Sequence, residues 1–119
     1  MEEVVCKTKF SNIKEKIREV FSTHFILTCA SPSSMPIYDD IFNDTKIKKV
    51  LNNEDIIHTA KIFLENDLNL SKASKQWFLH RNTMIYRIGK IEQITGLNIR
   101  KFNDAVLFSN MLELYGKFA

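Results

Sequence analysis

Between Asn53 and Gly96 the apolar residues recur at three- and four-residue spacing in three successive blocks, and each break between blocks is only a few residues long. NEDIIHTAKIFLEND opens with an Asn cap and two acids at the positive end of a helix dipole. Ile57, Ala60, Phe63 and Leu64 make its buried stripe, which predicts a helix over 54–65. The polar NDLN break leads to LSKASKQWF, where Ser71 is placed to cap a short helix holding Ala73, Ser74 and Trp77. A third helix begins at His80 or Arg81 and runs to about Thr95, where Gly96 supplies a left-handed cap. Breaks this short leave consecutive helices no room to separate, so they must pack as neighbours.

The flanks extend an all-α reading. FSNIKEKIREVFSTHF, residues 10–25, places Phe10, Ile13, Ile17, Val20 and Phe21 on one face of an amphipathic helix, with Ser11 or Asn12 as its cap. The following FILTCA, near 25–30, is either a short strand or a continuation of that helix. SPSSMP is the Pro/Ser cluster of the chain and the best boundary. Residues 1–36 are thus expected as a helical arm or the remnant of an upstream domain, 37–52 as a connector with one or two helical turns, and 53–119 as the main domain. A last helix over about Asn103 to Tyr115 is apolar around most of its circumference, more than one core face needs.

Composition excludes several classes. A chain of 119 residues with 45% hydrophobic and 26% charged residues suits one folded domain or a small domain with an arm. No apolar run is long enough to cross a bilayer and the start, MEEVV, is acidic, so a cytoplasmic protein is expected. Cys6 and Cys29 have no CxxC or HxxxH spacing nearby and read as reduced thiols, not a zinc site or disulfide framework. Asp39 and Asp40 are adjacent and point apart, which favours turn or cap residues over a catalytic pair. With no nucleophile beside a base, no phosphate-cradling Gly loop and no metal cluster in the pattern, neither an enzyme nor a cofactor is expected.

The net charge of +3 is unevenly spread. Leu70 to Lys101 carries seven bases (Lys72, Lys75, Arg81, Arg87, Lys90, Arg100, Lys101) against Glu92, a local excess of 7 − 1 = +6. That is either a solvated face or an electrostatic footprint for a polyanion. The order of elements decides for the second. A short helix with small inner residues, a tight turn and a second helix with a polar start is the helix-turn-helix arrangement. Small Ala73 and Ser74 let the helices cross closely, while Trp77, Leu79 and Met84 are expected to fill the wedge between them. Met84, Ile88, Ile91 and Ile94 hold one face of the long helix, so Arg81, Asn82, Ile85, Tyr86, Gly89, Lys90 and Gln93 look outward. Arg81 then reaches a guanine edge and Asn82 an adenine, while Thr83, Lys72 and Lys75 meet phosphates. Tyr86 and Lys90 extend that surface. Arg87 reads equally as a phosphate contact or as an ion pair with Glu92 or an acid of the first helix, and His80 as a cap before a base contact.

The run HRNTxxYRxxxIxxxTGL from His80 to Leu97, followed by RxFxDAxxF from Arg100 to Phe108, resembles the C-terminal DNA-binding domain of the purine-catabolism regulator (PucR) and sugar-diacid regulator (CdaR) family, itself similar to Fis-type helix-turn-helix domains. With the preceding helix the resemblance covers about residues 53–118. It implies a bacterial transcription regulator whose long helix enters the major groove of double-stranded DNA. Such regulators carry a large N-terminal sensing region, so the chain reads as a shortened member or a piece of a longer protein. An upstream sensor domain and RNA polymerase are further candidate partners. Met84, Ile85 and Ser74 depart from the family's usual residues at their positions, and Gly89 lies inside the long helix at a cost of about 1 kcal/mol relative to Ala.

Sequence-specific DNA binding as a homodimer is therefore the leading expectation, with the N-terminal and last helices as candidate dimer surfaces. The competing one is a helix-turn-helix scaffold that serves as a protein-interaction or dimerisation module.

Overall fold

The structure is a computed structural model that describes residues 13–21 and 35–118. Among them are seven helices and no strand: α1 (Ile13–Val20), α2 (Met35–Phe42), α3 (Thr45–Leu51), α4 (Glu54–Glu65), α5 (Leu70–Trp77), α6 (Arg81–Thr95) and α7 (Phe102–Phe118). The all-α class follows directly. The FILTCA stretch, Cys6, Cys29, Phe10 and the Ser11 or Asn12 cap lie outside the described residues.

α4 begins and ends where its chemistry dictates. The Asn53 side chain accepts the Ile56 N–H at 3.1 Å, satisfying one of the donors a helix start leaves unpaired, and Glu54 and Asp55 sit on the positive end of the dipole. Ile56, Ala60, Ile62 and Phe63 go into the core, and α6 lays its own stripe of Met84, Ile88 and Ile91 against that face. Fully burying a side chain such as Phe63 contributes roughly 1.5–3 kcal/mol, several times a surface ion pair, so this contact sets the fold.

The turn after α4 places Asp67 and Leu68 at positive φ, and Asn69, not Ser71, caps α5 by accepting the Lys72 N–H at 3.0 Å. Both residues have capping side chains; the backbone enters the helix two residues earlier than expected. Ala73 is fully buried at the crossing of α5 and α6, and the Ser74 hydroxyl donates to the Leu79 carbonyl across the turn. Trp77 does not fill the wedge: it is 47% exposed at the end of α5, and Phe78, the left-handed residue that closes the helix (φ 53°), is 94% exposed. Trp77 instead meets the His58 ring edge-on, with centroids 4.7 Å apart.

Residues 37–52, expected as a connector, form most of α2 and all of α3, with Ile41, Phe42, Ile47, Val50 and Leu51 in the common core. Asp39 and Asp40 lie exposed on α2, not in a turn, and Asp40 pairs with Lys16 at 3.3 Å. α1 is equally committed. Ile17 and Phe21 are fully buried, and Phe21, Phe42 and Tyr115 continue as an aromatic chain with ring centroids 6.0 and 5.2 Å apart. Among the described residues the apolar face of α1 is thus turned largely into the chain.

One carboxylate ties three segments together. Asp104, near the start of α7, receives Arg18 Nη1 at 2.7 Å and the Asn98 N–H at 2.9 Å, while Arg18 Nη2 donates to the Gly96 carbonyl at 2.8 Å. The Arg18 hydrogen bond holds the Asp104 carboxyl below the usual carboxylate range; burial opposes it and the Asn98 N–H assists. The Asp104 side chain is 11% exposed and that of Arg18 52%, so losing the arginine leaves a nearly buried carboxylate with the Asn98 N–H, and losing the acid leaves that N–H and one arm of Arg18 without their acceptor. Asp104→Asn and Arg18→Met are each expected to cost about 1–3 kcal/mol at neutral pH. Because the folded-state pKa is depressed, the stability Asp104 supplies is present above its unfolded pKa and disappears as pH falls through the folded one. Urea denaturation should show the gap between wild type and Asp104→Asn closing in acid; a gap that does not change with pH contradicts the assignment.

Candidate nucleic-acid interface

α6 has two faces with different work. Met84, Ile88, Ile91 and Thr95 are buried, while Arg81, Asn82, Ile85, Tyr86, Gly89 and Gln93 are exposed and Thr83 and Lys90 half-buried. Both ends are secured. His80 caps the N-terminus, its Nδ1 accepting the Asn82 N–H at 3.0 Å, which requires the ring proton to sit on Nε2. At the other end Gly96 takes φ 79° and returns its N–H to the Glu92 carbonyl at 2.8 Å. A Cβ on Gly96 would lie 3.0 Å from Lys14 Cβ, so glycine is needed there for conformation and for the approach of α1. Buried Thr95 donates to the Ile91 carbonyl and accepts the Leu97 N–H, turning the chain back into the core.

Such anchoring leaves the first turn of α6 as a rigid exposed tip. Arg81 and Asn82 stand on it side by side, with the outward N–H groups that any helix start presents. Tyr86, 65% exposed, lies a turn further along, and Lys90 Nζ is 5.9 Å from its ring centroid, at the outer limit of a cation–π contact. Lys72 and Lys75 are exposed on α5. Five cations and no acid fall between Ser71 and Ile91, so the stretch of chain that carries this tip is locally basic.

Arg87 is placed differently. It is half-buried and its Nη1 donates to the Thr59 hydroxyl at 3.0 Å, and Thr59 in turn donates to the Asp55 carbonyl at 2.8 Å. Its partner is a hydroxyl and not Glu92 or an acid of the first helix, the ion-pair partners read from the sequence. The link pins α6 to α4, and Arg87 belongs to the support of the tip as much as to its surface. Arg18 was not among the residues the pattern singled out, and Asp104 entered only as a position of the RxFxDAxxF run; an acid in the first turn of a helix directly after Arg100 and Lys101 was the available signal.

Two closely crossed helices joined by a tight turn, the second offering a polar, basic, acid-free tip, make a helix-turn-helix module. The chain belongs to the PucR C-terminal helix-turn-helix domain family, whose model matches residues 56–114. This is a family of transcriptional regulators. The purine catabolism regulatory protein of Bacillus subtilis (strain 168) is 32% identical over 53 residues, 44% of this chain and 10% of that protein. The carbohydrate diacid regulator of Escherichia coli (strain K12) is 32% identical over 69 residues, 58% of this chain and 18% of that one. The proline-responsive transcriptional activator PutR of Bacillus subtilis is 32% identical over 57 residues, 48% and 14%. The chain spans 10 to 18% of the length of these curated relatives. No solved structure gives a significant match.

Among the described residues no group of three or more His, Cys, Asp or Glu could hold a metal ion, and no helix is long and apolar enough to cross a membrane. Gly89 sits in the exposed face of α6 with nothing within 4 Å of where a Cβ would lie, so no neighbouring helix of the described chain requires it. Gly89→Ala should therefore raise stability by about 1 kcal/mol through helix propensity alone. Thermal denaturation checks this, and a lowered midpoint would show a packing role for the glycine that the geometry does not contain.

Proposed function

We propose that the chain binds double-stranded DNA sequence-specifically, with α6 in the major groove, as the DNA-binding part of a bacterial, cytoplasmic transcription regulator. The observation that carries this reading is the capped, acid-free first turn of α6, exposed on one side while its other side is locked into the core. Arg81 reads a guanine edge with its planar fork and Asn82 pairs with adenine. Thr83, Tyr86, Lys90, Lys72 and Lys75 hold phosphates and fix the register. His80 acts through its cap, and the Arg87 guanidinium, already tied to Thr59, adds a phosphate contact only with the N–H groups left to it.

One helix-turn-helix covers a few base pairs, so two copies set about a helical turn apart, roughly 34 Å, are the economical arrangement. With α1 committed inside the chain, α7 offers the dimer anchors, since Phe102 is 73% and Val106 39% exposed on it, one turn apart. The same two residues favour the second reading, a helix-turn-helix scaffold that binds another protein.

Selection of bound duplexes from a random pool, followed by a salt titration, separates the two. Wild type should recover a palindrome, and its affinity should fall steeply with salt, because each phosphate contact releases counterions. Arg81→Ala with Asn82→Ala should lose the sequence preference, about 1–3 kcal/mol of discrimination per lost bidentate pair, with the helical signal unchanged. Unaltered selection by that double variant would sink the assignment of these residues.

A further inference from the structure

Phe78 is the most exposed large apolar side chain among the described residues, and neither the core nor the phosphate and base contacts above employ it. Its ring is 94% exposed, and its backbone sits at φ 53° and ψ 35°, the left-handed region that favours glycine. The turn needs only the backbone there, because the Phe78 N–H closes α5 by donating to the Ser74 carbonyl. Glycine would make the same turn with less strain, so the isolated fold gains nothing from this ring. Its neighbour Trp77 is held against His58, whereas Phe78 projects from the turn three residues before Arg81. It does so within the stretch of five cations and no acid between Ser71 and Ile91.

An exposed apolar ring within a basic, acid-free stretch of chain, three residues before the tip of α6, is matched by a polyanion that also presents an apolar group. The major groove offers one such group, the 5-methyl of thymine. We infer that Phe78 packs on the methyl of a thymine at the edge of each half-site, beside the bases met by Arg81 and Asn82, and so helps to determine sequence preference. This inference rests on the DNA-binding reading proposed above.

The test uses the full 119-residue chain and the duplex recovered from the random pool, with each thymine replaced singly by deoxyuridine. That replacement removes the methyl and keeps every hydrogen-bonding group. Wild type should lose about fourfold in affinity at one position per half-site, the ratio that burial of a single methyl-sized group corresponds to. Phe78→Gly, which relaxes the turn and so keeps its thermal midpoint, should bind the thymine and deoxyuridine duplexes equally. The inference is overturned if no replacement affects wild type, or if the loss is the same in Phe78→Gly; a uniform loss by Phe78→Gly on all duplexes would place the ring on the sugar–phosphate backbone instead. Those results leave the Arg81 and Asn82 assignment standing. Recovery of no preferred duplex removes both readings together.

Discussion

The burial of one face of α6 against α4 is the contact on which everything else rests. Met84, Ile88 and Ile91 lie on Ala60, Phe63 and their neighbours, and the Arg87 to Thr59 hydrogen bond fixes the rotation of α6 about its axis. A helix so held cannot turn its polar side inward. Arg81, Asn82 and Tyr86 are therefore displayed at a defined angle before any ligand arrives, which removes part of the ordering cost of binding.

A second constraint acts at the far end of the same helix. Arg18 reaches both the Gly96 carbonyl and Asp104, so α1, the C-terminus of α6 and the start of α7 meet at one partly buried charge pair. Removing one partner of such a pair is costly because the other is left behind. The N-terminal helix is consequently part of the body that holds α6.

Periodicity and caps made much of this legible in advance. The limits of α4 and α6, the Asn53 and Gly96 caps and the buried stripe of α6 follow from side-chain spacing and from residues with few alternatives at helix ends. What spacing does not carry is the backbone path between helices. Trp77 and Phe78 have core-type side chains, yet both lie exposed where α5 ends in a left-handed residue. Residues 37–52 read as a connector because their apolar residues come in short pairs among Asp, Asn and Lys, and only the tertiary core shows that each pair has a surface to cover. Arg87 found a hydroxyl and not an acid for the same reason: its partner lies 28 positions away and is chosen by the crossing of α4 and α6.

The most direct test is a backbone amide NMR titration of the chain with its selected duplex. The account predicts that the largest shift changes fall on Arg81, Asn82 and Thr83, with Tyr86 and Lys90 following. Changes centred on Phe102 and Val106 of α7, with the first turn of α6 unmoved, would contradict it.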